Sequence, residues 1–271
     1  MKLQLTLAAI ATLLSATAAQ ADGHCADGKT LTEGKLTIAT GNPAYYPWVL
    51  DDNPESGEGF EAAVAYAVAE AMGFADSDVV WVRSSFDEAI QPGPKNFDVN
   101  MQQYSITEER DEVVDFSLPY YSAPMAVLVA PGATDTAPTL DALRSLKWGA
   151  AGSSTAIAKL QDVIQPEQDI LIYSDNADVS AAMSANQIDA ALFDLPTALF
   201  LSAVVIEGSK VIGQFPADES DNPDHFGMLM EEGNPLKACV DAALTSLSSD
   251  GTLQAIEATW LQDSTGVPLI R

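Results

Sequence analysis

At 271 residues, 47% of them hydrophobic and 19% charged, the chain has globular composition and the length for one large domain or two lobes. Its 39 acidic against 12 basic residues give a formal net charge of −27. No basic stripe exists to meet phosphate, which argues against a nucleic-acid partner. The acidity fits a solvated surface that keeps a soluble protein dispersed, and a monomer is expected.

The first segment, Met1 to Ala21, reads as a secretory signal peptide. Lys2 supplies the positive start, Leu3 to Leu14 the apolar core, and Ala19-Gln20-Ala21 a cleavage site that would leave Asp22 at the mature N-terminus. Asp22-Gly23-His24 ahead of Cys25 is no lipobox, and no other stretch approaches the length of a membrane span. Export permits a disulfide between the two cysteines, Cys25 and Cys239, which would pin the N-terminus onto a C-terminal helix; two free thiols are the alternative. Two cysteines alone do not make a zinc set, and no metal or cofactor is expected.

Gly34 to Thr40 reads as a first strand, leading into a loop from Gly41 to Trp48 that carries two tyrosines and a tryptophan. Trp48 is expected to tuck that loop onto the core. Phe60, Val64, Val68 and Met72 recur at helical spacing, with Gly73 as the stop. Val79 to Val82 is a second strand and Phe86 to Ile90 a helical turn. Phe97, Val99 and Met101 alternate with Asp98, Asn100 and Gln102, the pattern of a half-buried strand. A short helix follows, capped by Ser105 or Thr107. Arg110 falls in its first turn, where the helix dipole opposes a cation, although Glu108 and Glu109 soften that conflict. An arginine so placed suits an anion brought from outside.

Tyr120 to Pro124 reads as a crossover between lobes, Met125 to Ala130 as a buried strand, and then the β/α alternation restarts. Gly152-Ser153-Ser154-Thr155 opens a helix with hydroxyls and N–H groups that suit either plain capping or a ligand oxygen. Ala190 to Phe193 is a strand ending at Asp194, two residues before Pro196. Asp194 can cap the next helix or, at the C-terminal end of a strand, meet an ammonium group. Asn234 to Trp260 holds two helices split near Asp250-Gly251. The chain has only His24 and His225 as histidines, and no nucleophile elbow, phosphate loop or dinucleotide fingerprint. Arg110 and Asp194 on different lobes describe a receptor for a zwitterion, each ligand charge meeting its opposite.

These residues carry a resemblance to the family 3 solute-binding proteins, periplasmic amino-acid receptors of ABC importers. It rests on Gly59-Phe60-Glu61, Phe97-Asp98-Val99, Ser105 through Arg110, Val114 to Ser117 with Pro119-Tyr120-Tyr121, Gly152 to Thr155, Ile188-Asp189-Ala190 with Asp194, and Asp250-Gly251-Thr252 with Trp260. The resemblance implies an α/β fold of two doubly wound lobes joined by two hinge strands, closing over one amino acid and then recognised by a membrane permease. The lobes would be 22–119 with 228–271, and 125–222, with hinges at 120–124 and 223–227. Arg110 would bind the α-carboxylate, helped by Ser105 and by Ser154 or its neighbour Thr155, and Asp194 the α-ammonium. Asn42, Tyr45 and Ser85 (or Ser84) would complete the pocket wall. Two positions depart from the family pattern: Asn42 replaces a frequently acidic residue, and Gln103, beside Gln102, replaces a small one and is expected to intrude on the pocket. The rival readings are an enzyme on the same fold, cyclohexadienyl dehydratase-like, for which no general acid stands out, and a sensory or accessory binding domain.

Overall fold

The computed structural model describes residues 24–215, 224–261 and 266–270. The expected leader and its cleavage site lie outside them, as does the expected lobe boundary at residues 222 and 223. In chain order the strands are β1 (Leu36–Thr40), β2 (Val79–Arg83), β3 (Val99–Asn100), β4 (Val114–Phe116), β5 (Tyr121–Ser122), β6 (Met125–Val129), β7 (Trp148–Ala151), β8 (Leu171–Tyr173), β9 (Ala190–Asp194), β10 (Lys210–Phe215), β11 (His225–Phe226) and β12 (Leu229–Glu231). The α-helices are α1 (Phe60–Ala71), α2 (Phe86–Ala89), α3 (Glu108–Asp111), α4 (Leu140–Arg144), α5 (Ala156–Lys159), α6 (Asn176–Ser184), α7 (Leu195–Phe200), α8 (Lys237–Ser249) and α9 (Thr252–Trp260).

The strands form two mixed five-stranded sheets, ordered β2-β1-β3-β12-β4 and β10-β6-β9-β7-β8. In the first, β1 runs parallel to β2 and β3 while β12 returns antiparallel between β3 and β4. In the second, β7 is parallel to β8 and β9, and β6 lies antiparallel between β9 and β10. Between the sheets β5 and β11 pair antiparallel, Tyr121 opposite Phe226, so the chain passes twice through one short ribbon.

Each sheet has its own core. Trp48, Phe60, Val64, Val68, Val99, Met101, Val240 and Leu244 bury against one another around α1, α8 and the first sheet. Val127, Leu143, Trp148, Leu160, Ile164 and Leu192 do so on one face of the second sheet, and Leu128, Val179, Met183, Phe193 and Leu195 on the other. α1 starts abruptly because Gly59, at φ 106°, lets the chain turn against Trp48 and Val49; a Cβ there would meet the Trp48 carbonyl oxygen at 2.5 Å.

Several local expectations change. The stretch from Phe97 to Met101 does not alternate inside and out: all five residues are buried and only Val99–Asn100 is strand. Asp98 is held inside because its carboxylate accepts the Leu31 and Thr37 N–H groups, both at 2.7 Å. The C-terminal segment does not all belong beside the first sheet. Ile270 fills space over Gly213 in the core of the second, and the Gln214 N–H and carbonyl pair with Pro268 and Ile270. An apolar side chain near the end of the chain is stabilised wherever it leaves water, and here the second sheet offers that groove. Cys25 and Cys239 are bonded, across a sequence separation of 214, which fixes the N-terminal turn on α8.

Candidate functional site

A cavity of about 400 Å³ lies between the sheets. The first sheet's loops contribute Asn42, Tyr45, Ser85, Gln102, Gln103, Ser105 and Arg110; the second contributes Ser153, Ser154, Thr155, Asp175 and Asp194. Every residue expected at the site therefore lines one space. Its size is that of a small-molecule pocket.

Arg110 is 9% exposed. Thr107, rather than Ser105, caps α3, accepting the Arg110 N–H at 3.2 Å. The Arg110 side chain then turns into the cavity, over the Phe86 ring with its guanidinium carbon 5.4 Å from the ring centroid. Nη1 donates to the Ser105 carbonyl and Nη2 to the Ser153 carbonyl, each at 2.8 Å, so the guanidinium spans both sheets' loops. Among the described residues two of its five N–H donors find partners, which leaves three for a guest. Burial lowers its pKa, against the pull of Asp224 and Tyr104.

The Gly152–Thr155 turn provides no side-chain cap for α5. Ser153 instead donates its hydroxyl to Asp87, Ser154 donates to the Ala151 carbonyl at 2.9 Å, and the Thr155 hydroxyl lies 3.5 Å from that of Ser105. Ser85 caps α2, accepting the Glu88 N–H at 3.3 Å. Asn42 and Tyr45 stand on the first loop, which Arg83 braces through the Gly41 carbonyl and Asp52. Tyr45 is 42% exposed, and its hydroxyl pKa is raised by burial and by Asp175, Asp52 and Asp178. Trp48 is tucked in as expected, and its indole N–H reaches the Thr197 hydroxyl across the cleft at 2.9 Å.

Asp194 performs the capping role: Oδ1 accepts the Thr197 N–H at 2.8 Å at the start of α7. It also lines the cavity, and burial, aided by Asp224, pushes its pKa up to about 6 against the opposing Thr197 bonds. Capping and contact with a cation are compatible, because one carboxylate offers several lone-pair sites.

Gln103 does not simply project into the pocket. Its backbone has φ 53°, and its N–H and side-chain amide both donate to Glu61. Glu61 sits in the first turn of α1, 1% exposed, and accepts a third bond from the Tyr120 hydroxyl. Burial raises its pKa to about 7 despite those donors. Gln102 is likewise occupied, donating to Asn100 at 2.9 Å and the Tyr104 hydroxyl at 3.0 Å. Glu61 entered the sequence reading only as part of a motif, although an acidic residue inside the apolar run FEAAVA was a legible signal. Asp224 also lines the cavity, and nothing in the polar stretch around it distinguished it in advance. Among the described residues no three His, Cys, Asp or Glu side chains converge to hold a metal ion.

Residues 36–263 match the family model for bacterial extracellular solute-binding proteins, family 3. The chain is 29% identical over 222 residues to the L-cystine-binding protein of Escherichia coli K12, covering 80% of this chain and 79% of that protein. It is 26% identical over 260 residues to the histidine-binding periplasmic protein of the same strain, covering 94% and 95%. A solved ancestral arginine-binding protein, bound to glutamine, superposes with a TM-score of 0.69 at 27% identity, over 84% of this chain and 98% of that one. The two-lobed α/β fold is shared with that structure, and the named relatives are binding proteins rather than enzymes. The chain belongs to the bacterial extracellular solute-binding proteins of family 3.

Proposed function

We propose that the protein captures an amino acid or a related small zwitterion in this cleft, in the periplasm, and delivers it to the permease of an ABC importer. One observation carries the reading: a buried arginine with three N–H donors unpartnered among the described residues faces the same cavity of about 400 Å³ as the carboxylate of Asp194. Arg110 takes the ligand carboxylate with Ser105, Ser154 and Thr155 beside it, Asp194 takes the ammonium, and Tyr45, Asn42, Ser85 and Gln103 shape the wall. Residues 24–119 with 228–261 form one lobe, and 125–215 with 266–270 the other. The paired segments 120–124 and 224–227 act as the hinge. Contacts that form only when the lobes meet over a ligand favour the closed state.

The relatives that match this chain are named for cystine, histidine and arginine, and those amino acids, with glutamine, form the first panel to test. Ligand-stripped protein is expected to gain melting temperature with at least one of them. Calorimetry on that ligand should then find binding abolished in Arg110→Ala while the variant still melts cooperatively. Wild-type affinity in Arg110→Ala would refute the assignment.

A further inference from the structure

Asp224 precedes β11 in the ribbon between the sheets, and its own carbonyl accepts the Ala123 N–H at 2.8 Å. Its side chain lines the cavity beside Ser105, Arg110 and Asp194. The other wall carboxylates are engaged. Glu61 has three donors, Asp87 has the Ser153 hydroxyl, and Asp175 and Asp194 each cap a helix. Asp224 Oδ1 is fully buried and has no hydrogen-bond partner among the described residues. Nor does Asp224 form an ion pair with Arg110 within 4 Å, although the two are near enough for Arg110 to favour its ionised form. Burial nonetheless raises its pKa overall, against a hydrogen bond from the Ser105 side chain to the carboxylate and the charges of Arg110, Lys159 and His225, and it is Oδ1 alone that is left without a partner. A carboxylate oxygen held out of water with nothing to accept from is costly, and such atoms call for an explanation.

We infer that Asp224 is a further ligand-binding residue, accepting a hydrogen bond from the ligand's α-ammonium alongside Asp194. The inference rests on the zwitterion reading of the cleft. In an α-amino acid the ammonium and carboxylate are separated by one carbon, so a carboxylate seated on Arg110 brings the ammonium next to the guanidinium. Asp224 lines the same cavity as Arg110 and Asp194, and its charge is felt at both. A primary ammonium has three N–H donors, enough for both aspartates with one to spare. The same geometry prevents a plain acid from binding well: without an ammonium, the ligand carboxylate would meet Asp224 as a like charge. Asp224 thus selects for an amine beside the acid, and does so from the ribbon about which the lobes pivot.

The test uses full-length mature protein, stripped of ligand, as wild type, Asp224→Asn and Asp224→Ser. Probes are L-histidine, L-arginine and L-cystine, with imidazolepropionate and 5-guanidinopentanoate as analogues lacking the α-amino group. Asp224→Asn is expected to keep the wild-type melting temperature within a few degrees and to weaken amino-acid binding about tenfold or more, the scale of a lost charged hydrogen bond. Affinity for the desamino analogue should stay level or rise, and Asp224→Ser should follow the same pattern. Amino-acid affinity within twofold of wild type in both variants, or an equal loss for acid and amino acid, overturns the role of Asp224 while leaving the cleft reading intact. Failure of wild type to bind any of these three amino acids or the glutamine of the first panel overturns both.

Discussion

Glu61 makes the most exposed prediction, because its burial and its protonation pull in opposite directions. Its Oε1 accepts from the Gln103 N–H and the Tyr120 hydroxyl, and its Oε2 from the Gln103 side-chain amide. In Glu61→Gln the new carbonyl oxygen takes the Oε1 position and keeps both of its donors. The new NH₂ replaces Oε2, and a rotation of the Gln103 amide presents an oxygen to it, so the variant leaves no donor stranded. What the substitution removes is the charge. The folded pKa of about 7 stands above the ordinary 4.5, so between those values the native state holds a proton that the unfolded chain has released. Stability from this group is therefore lost as pH rises from about 4.5 to about 7, in total roughly 3 kcal/mol at 1.36 kcal/mol per unit. Urea melts of ligand-free protein at pH 5, 6, 7 and 8 measure it, and the difference between variant and wild type isolates Glu61 from other titrating groups. Relative to wild type, Glu61→Gln should gain about 2–3 kcal/mol between pH 5 and pH 8. Parallel stability curves for the two proteins would refute the reasoning. Glu61→Ala, in contrast, should destabilise at every pH, since it strands the buried Tyr120 hydroxyl at a cost of about 1–3 kcal/mol and removes the acceptor of two partly buried Gln103 donors.

Gly59→Ala places a Cβ 2.5 Å from the Trp48 carbonyl oxygen and 2.6 Å from the Val49 Cα, both backbone atoms that cannot swing aside. It should lower unfolding free energy by at least about 2 kcal/mol in urea melts, and a cost under 0.5 kcal/mol would mean that the turn into α1 is looser than described. The Cys25–Cys239 bond closes a loop of sequence separation 214, so Cys25→Ser with Cys239→Ser should cost about 2–4 kcal/mol. Intact-mass analysis of protein exported and purified without reductant should find no alkylatable thiol; two would show the bond unformed.

The sequence yielded the parts of the fold that depend on local chemistry. The i, i+4 stripe of α1, the stop between α8 and α9 at Asp250-Gly251, and Asp194 ending β9 all follow from spacing and turn residues, and all are present. Where tertiary context decides, local pattern misled. Asp98 and Asn100 look solvent-facing in a strand of period two, but the segment lies inside the first lobe, where backbone donors from residues 31 and 37 stabilise the Asp98 carboxylate. Gln103 looked like an intruder because its partner, Glu61, is 42 residues away in sequence. Asp224 was illegible for the same reason: its meaning comes from which side chains the fold brings near it, and its neighbours in the chain are only polar and acidic.

The alternatives posed by Asp194, helix cap or ligand carboxylate, merge once its neighbours are traced. Its Oδ1 holds the Thr197 N–H, and the Thr197 hydroxyl holds the Trp48 indole from the opposite lobe. Near the same edge the Tyr46 and Phe200 rings meet at 5.0 Å between centroids. The cap therefore orients the residue that joins the lobes, while the charge of the same side chain faces the cavity. Substitution to alanine would disturb both functions together and could not separate them. Substitution to asparagine retains a competent cap, since Asn and Asp are equivalent there, and removes only the charge. Under the proposed binding mode the ligand's ammonium would act on the group that caps α7, and α7 carries the Trp48–Thr197 contact between the lobes, so one carboxylate would serve both binding and that contact.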